Sequence, residues 1–183
     1  MLFRALRRVA LVLWVTAALL GAEPSNLWLD VPFVKQEKNA CGAASIAMVM
    51  QYWQQQHSPE NPNADAGRIQ RALYSDRAHG IYASSMEAYF QRNGYHVVVF
   101  RGDWRDLEQH LRKGRPLIAA LKRGSTQALH YVVVAGLDEE RELVLLNDPA
   151  ERKLLKEERS RFEREWNAAG GWTLLALPEA SSH

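Results

Sequence analysis

The sequence predicts an α+β protein in which a helical half, led by a cysteine-bearing helix, packs on a mainly antiparallel sheet. Three observations carry that expectation. An apolar helical pattern covers residues 41–56, with Ala44, Ala47, Met48, Met50, Tyr52 and Trp53 recurring at three- and four-residue steps. Short β-branched or apolar runs crowd the second half, at residues 95–100, 116–121, 130–136, 143–146 and 172–177. A polar stretch at 137–142 (LDEERE) is short enough to join two of these runs as an antiparallel hairpin.

The 183 residues suffice for one domain with a substantial core and are too few for two comfortable ones. Hydrophobic content of 47% and charged content of 24% are those of an ordinary globular protein. A net charge of +2 gives no electrostatic reason to expect nucleic acid as a partner. No Gly-rich phosphate loop is present, which removes support for nucleotide hydrolysis. The single cysteine excludes an internal disulfide and a cysteine-based zinc cluster.

Residues 1–22 stand apart from the domain expected over 23–183. Arg4, Arg7 and Arg8 precede an apolar run over 9–22 that is interrupted only by Thr16 and Gly21. A basic head and an apolar stretch shorter than the roughly twenty residues of a spanning helix describe a signal peptide or signal anchor. Export is therefore expected, to the periplasm or to the periplasmic face of the inner membrane. Contact with a membrane is expected only through this segment, if it is retained. Without its three arginines the formal charge changes from +2 to −1, which again names no partner.

Residues 26–34 read as a short extended stretch confined to an edge or loop by Pro32. A polar loop at 35–40 leads into the cysteine helix, whose Ala, Ile, Met and Val content predicts burial on nearly all sides. Prolines and asparagines make 57–65 a loop, residues 68–74 form a short helix, and 77–83 are a second loop. Ser84 with Glu87 reads as a capping box opening a helix that Gly94 closes. After the strand at 95–100, Asp103 starts a helix that ends at Lys113 and Gly114, followed by the strand at 116–121. A loop at 122–129 precedes the strand that His130 opens. The charged residues of 151–165 read as a mostly solvated face, with Phe162 and Trp166 as its buried stripe. Gly170 and Gly171 then break the chain before the last strand.

Cys41 falls in the first turn of its helix, where the helix N-terminus favours thiolate over thiol. A lone cysteine is more often a small buried hydrophobe, so its neighbours decide its standing. A thiol nucleophile needs a base, a group that orients the base, and donors for an oxyanion. Among the histidines, His57, His79, His110 and His183 read as solvated, and His96 has Asp103 as its nearest acid, at a helix N-cap. His130 differs because the hairpin places it opposite positions 149–150. Asp148 then lies within a cross-strand separation of it. A histidine capping a strand and an Asp-Pro turn explain the same residues, and a one-residue slip would turn Asp148 to the other face. Gln36, five residues before Cys41, offers a side-chain amide that could join the Cys41 N–H as an oxyanion donor.

The stretch QEKNACGAAS, followed downstream by HYVVVAG and LLNDP, resembles the double-glycine leader peptidases. These are papain-like cysteine peptidases found fused to bacteriocin-exporting transporters, and the resemblance spans about residues 29–177. It implies a papain-like fold and a site made of Gln36, Cys41, His130 and Asp148, with no metal or cofactor. It implies a polypeptide substrate, a leader ending in Gly-Gly; the chain itself is expected to be a monomer. Transporter-linked members work at the cytoplasmic face, whereas the export segment here points to an exported or leader-bearing protein as substrate. The sequence expectation is thus an exported cysteine peptidase. Two alternatives use the same residues: a module that grips a leader without cutting it, and a cell-wall peptide amidase or transpeptidase.

Overall fold

In a computed structural model of the chain, residues 26–57, 61–124 and 128–179 are described. The amino-terminal segment 1–22 and His183 lie outside them. The strands are β1 (Asn26–Trp28), β2 (Tyr95–Arg101), β3 (Leu117–Leu121), β4 (His130–Asp138), β5 (Leu143–Asn147), β6 (Leu155–Glu158) and β7 (Trp172–Pro178). The helices are α1 (Cys41–His57), α2 (Ala66–Leu73), α3 (Ala83–Arg92), α4 (Trp104–Arg112) and α5 (Arg159–Ala168). The strands make one sheet in the order β2-β7-β3-β4-β5-β6, with β1 beside β4, and every pairing among the described residues is antiparallel.

The expected layering is present. One core joins α1, α2 and α3 to the face of the sheet that carries Ile118, Ala120, Tyr131, Val133, Ala135 and Ala176. The alternate residues Leu117, Ala119, Leu121, Val132 and Val134 face a second core, closed by Leu107 and Leu111 of α4 and Phe162 and Trp166 of α5. The sheet is therefore covered on both faces, which its uniformly apolar central strands require. The buried pair expected at Phe162 and Trp166 is found, exposed by 0% and 1%.

Helix α1 is the centre of the first core. Every residue from 42 to 50 is buried, because the Ala-rich sequence lets the sheet and α2 approach on several sides. Its far end is pinned by two polar handles on aromatic residues. Trp53 Nε1 donates to the Ala176 carbonyl at 2.9 Å, and the Tyr52 hydroxyl donates to the Gly114 carbonyl at 2.8 Å. Rigid packing at this end fixes the position of Cys41 at the other.

Strand β4 carries the rest of the site. Beyond Val134 its β3 partner ends, and β1 takes the vacated side, with Trp28 opposite Gly136. A Cβ at Gly136 would lie 2.5 Å from the Leu27 carbonyl and 2.8 Å from Trp28 Cβ, so the glycine is required by close backbone approach. Gly136→Ala is expected to lower stability by about 1–3 kcal/mol through forced separation of β1. A fall in the urea midpoint at unchanged m-value checks this.

Several local expectations are corrected. Helix α3 starts two residues early, with Tyr82 as N-cap in place of Ser84 and no side-chain cap bond, so Ser84 and Glu87 form no capping box. The capping box lies instead on α4, between Asp103 and Asp106. Helix α2 begins at Ala66 because the Asp65 carboxylate accepts the Arg68 N–H at 2.7 Å. A single 3-10 turn, Pro62–Ala64, sits in the 57–65 loop. The 137–142 turn is shorter than expected, since β4 continues through Asp138. Residues 155–158, expected on a solvated face, form β6 against β5, and Glu157 is buried.

Candidate active site

The loop before α1 sets the position of the cysteine. Asn39 adopts φ 57°, a left-handed conformation that asparagine tolerates better than most residues, and the Ala40 N–H closes a turn on the Glu37 carbonyl. The Ala40 carbonyl then accepts the Ala44 N–H as the helix begins. The cap position thus carries no side-chain acceptor. The first-turn amides of Cys41, Gly42 and Ala43 have no partner within the helix and can meet negative charge.

Gly42 matters because of what lies beside it. A Cβ there would sit 3.2 Å from Ile81 Cβ and 3.5 Å from the Tyr131 ring, so the glycine lets the 75–83 loop and the start of β4 close around the thiol. Cys41 itself is partly exposed. It lines a cleft of about 550 Å³ together with Gln36, Asn39, the 78–83 loop, Arg123 and residues 128–131.

His130 opens β4 beside this thiol. The β4–β5 register pairs Val133 with Asn147, which continued outward sets position 130 opposite 150, as the hairpin reading expected. Ala135 is the irregularity in that ladder, where the register shifts between Val134 and Gly136. His130 Nε2 lies 2.8 Å from Asp148 Oδ1, and Asp148 is wholly buried. The remaining ring nitrogen, Nδ1, is left for the Cys41 thiol, which lines the same cleft.

The electrostatics follow from these contacts. Burial pushes the Cys41 thiol up, but the bond to His130, the backbone of Tyr131 and Gly42 and the imidazolium charge outweigh it, leaving the thiol below its ordinary value. Burial pulls His130 down, yet its bonds to Asp148 and Cys41 raise it to about 9. Asp148 is pushed up by burial and held at about 2 by His130 and Arg123. Imidazolium and carboxylate therefore coexist at neutral pH, and the imidazolium favours the thiolate form of Cys41.

Gln36 is placed by its backbone. Its N–H donates to the Pro149 carbonyl at 2.9 Å, tying the loop before α1 to the turn that holds Asp148. Its side-chain Oε1 is buried without a hydrogen-bond partner among the described residues. Gln36, Cys41, His130 and Asp148 are thus brought together from four chain segments. The other histidines are elsewhere. His96 is exposed on β2, and His57 closes α1 at the end opposite Cys41. His110 is less solvated than expected: burial, with Arg115 and Lys113 nearby, lowers it, and its ring lies 5.9 Å from that of Phe100. His79 lies on the cleft rim.

The family comparison agrees with this architecture. The model of the Peptidase_C39 like family matches residues 28–173. The chain belongs to the Peptidase_C39 like family. No curated protein sequence matches it. Among solved structures this C39-like chain is similar to the peptidase domain of Streptococcus ComA, a bi-functional ABC transporter involved in a quorum-sensing pathway. That match has a TM-score of 0.62 at 18% identity and covers 81% of this chain and 98% of that one. It is also similar to a double glycine motif protease from an AMS/PCAT transporter in complex with the leader peptide, at TM-score 0.62 and 24% identity, over 82% and 94% of the two chains. A C39-like protein from Bacillus anthracis aligns at TM-score 0.66 and 17% identity, over 85% and 99%. At these identities the structures establish a shared papain-like peptidase fold.

Sequence reasoning missed three contributors. Asn147 is fully buried, donates to the Val31 carbonyl at 3.0 Å and accepts the Leu154 N–H at 3.0 Å, so it frames the Asp148 turn. Ile81 forms the wall against Gly42. Arg123 reaches Asp148 Oδ2 at 2.7 Å from the loop after β3. Only Asn147, beside Asp-Pro, carried any local signal.

Proposed function

We propose that this protein is an exported cysteine peptidase that cleaves a peptide bond in an exported or leader-bearing polypeptide. One observation carries the reading: a helix-N-terminal thiol, held below its ordinary value by a neighbouring histidine, shares a cleft with that histidine, which a buried aspartate orients. A packing cysteine needs none of these.

The thiolate Sγ of Cys41 attacks the scissile carbonyl carbon, and the C=O electron pair moves onto oxygen. The Gln36 amide and the Cys41 N–H receive that oxyanion. His130 then gives its Nδ1 proton to the departing amine as the C–N bond breaks, leaving a thioester on Cys41. A water molecule, deprotonated by His130, attacks the thioester, and the acid product leaves as the thiol is restored. Asp148 keeps Nε2 occupied throughout, so that Nδ1 faces the chemistry. Cleavage after Gly-Gly is the specificity favoured by family membership.

The ion pair sets the pH dependence. Raising pH through about 9 removes the His130 proton, and with it the acid for the leaving amine. Lowering pH protonates Cys41, but only below the ordinary thiol range. We expect kcat/KM to be bell-shaped, with a basic limb near 9 and an acid limb below the usual cysteine value; the two limbs belong to the coupled pair. The test is mass-spectrometric mapping of new N-termini in exported proteins and Gly-Gly leader peptides incubated with the purified protein across pH. Absence of new termini at every pH, or cleavage that survives alkylation of the only cysteine, overturns the reading.

A further inference from the structure

Behind the Asp148 carboxylate stands a line of alternating charges that the catalytic reading does not require. Arg123 sends Nη1 to Asp148 Oδ2 at 2.7 Å, Nε to Glu165 Oε2 at 2.9 Å and Nη2 toward Glu157 Oε2 at 3.4 Å. Arg161 closes the far end, with Nε 3.1 Å from Glu157 Oε1 and 3.1 Å from Glu165 Oε1. The order outward from the cleft is His130, Asp148, Arg123, the two glutamates, Arg161. The three carboxylates come from the turn after β5, β6 and α5, and all are largely shielded, with side-chain exposures of 0% for Asp148, 5% for Glu157 and 13% for Glu165.

This geometry differs from a surface ion pair, which is worth little. Asp148 Oδ1 already accepts from His130 Nε2 at 2.8 Å and from the Ala150 N–H at 2.9 Å. Oδ2 has Arg123 as its partner, and the planar guanidinium is itself fixed by two further carboxylates. The neighbouring backbone reinforces it, since the Lys122 N–H donates to the Glu165 carbonyl at 2.9 Å. Rotation of the Asp148 carboxylate about its last side-chain bond would break the Arg123 contact and the His130 contact together.

We infer that Arg123 is a positioning residue for the peptidase reaction, which locks the Asp148 carboxylate in the rotamer that orients His130 and ties that rotamer to β6 and α5. The inference rests on the cysteine-peptidase reading above. Loss of the lock lets Asp148 turn, and the imidazolium loses its partner. Loss of a bare positive charge does the opposite, because a cation near His130 disfavours its protonation. The two effects have opposite signs on the same group, so the sign decides between them.

The charged and titratable groups around His130 are Cys41 on α1, Tyr131 beside it on β4, His79 across the cleft and Asp148 beyond β5. Behind them stand Arg123, Glu157 of β6, and Arg161 and Glu165 of α5.

The test reads His130 through the thiol of the full protein. Iodoacetate is anionic, so it alkylates Cys41 fastest while His130 holds its proton, and the rate falls as that proton leaves. In the unaltered protein the midpoint of this fall is expected near 9. Arg123→Gln is expected to move the midpoint down by about one pH unit, a tenfold change in the protonation constant. Arg123→Lys keeps the charge and loses the fork, and is expected to move it down by about half as much. A rise in Arg123→Gln, or an unmoved midpoint in both variants with only a lowered Tm, overturns the inference. If Arg123→Gln fails to fold, the direction in Arg123→Lys decides, since charge alone predicts no shift there. An ordinary thiol profile in the unaltered protein would instead sink the peptidase reading itself.

Discussion

Replacing Cys41 by alanine is expected to abolish peptide cleavage, a loss on the order of 10⁵–10⁶ in kcat, while the protein stays folded. The two halves of this expectation have separate physical grounds. Cys41 is the only cysteine of the chain, so no second thiol can take over the attack. Whatever rate remains comes from the oxyanion donors and from substrate binding alone. Stability should change little, because the side chain is small, partly exposed and at the first position of α1, where alanine is an excellent helix former. A change of about 1 kcal/mol would move Tm by only about 2–4 °C. Activity and a thermal melt on the same preparation check both halves. Cleavage retained in a folded Cys41→Ala protein would end the nucleophile assignment.

Much of this arrangement was legible in the sequence because it is local. The burial of α1 follows from its Ala, Ile, Met and Val content, and Phe162 with Trp166 announce a buried stripe by their spacing. The hairpin was legible too, since its short polar turn constrains which residues face each other. That is why the closeness of His130 and Asp148 could be anticipated across 18 residues. What was not legible depends on distant packing. Nothing near Arg123 signals that its guanidinium meets three carboxylates from three later segments. Glu157 and Glu165 resemble the solvated glutamates around them, and only the ladder of β6 and the seating of α5 turn them inward. The failed capping box has the same cause in reverse. Ser84 and Glu87 have the right spacing, but the chain becomes helical two residues earlier, at Ala83, and leaves Ser84 inside the first turn.

The second large effect concerns Asp148. Asp148→Asn preserves shape but changes which atoms can donate. The aspartate accepts on both oxygens: from His130 and the Ala150 N–H on Oδ1, and from Arg123 on Oδ2. An asparagine has one oxygen for these two sides. Arg123 is a fixed cation, so a charge-assisted bond draws the amide oxygen toward it. The amide nitrogen then faces His130 Nε2 and donates to it. That bond requires Nε2 to be unprotonated, which places the neutral ring's proton on Nδ1, where it cannot accept the thiol proton. We expect kcat to fall roughly 10³–10⁴-fold, as for a triad histidine held in the wrong tautomer. His130 should also drop from about 9, because the carboxylate that favours its charged form is gone, so the basic limb moves to lower pH. Stability should fall by about 3 kcal/mol, the cost of breaking a buried ion pair from one side. Its pH dependence has a definite sign. Asp148 is held at about 2, so the stabilisation it supplies is present above the ordinary carboxylate value and disappears as pH falls through about 2. The difference between the two proteins should therefore be largest near neutrality and shrink in acid. Nitrogen NMR of the His130 ring reads the tautomer directly. An Asp148→Asn protein with normal kcat and a proton still on Nε2 would show that Asp148 does not orient the base.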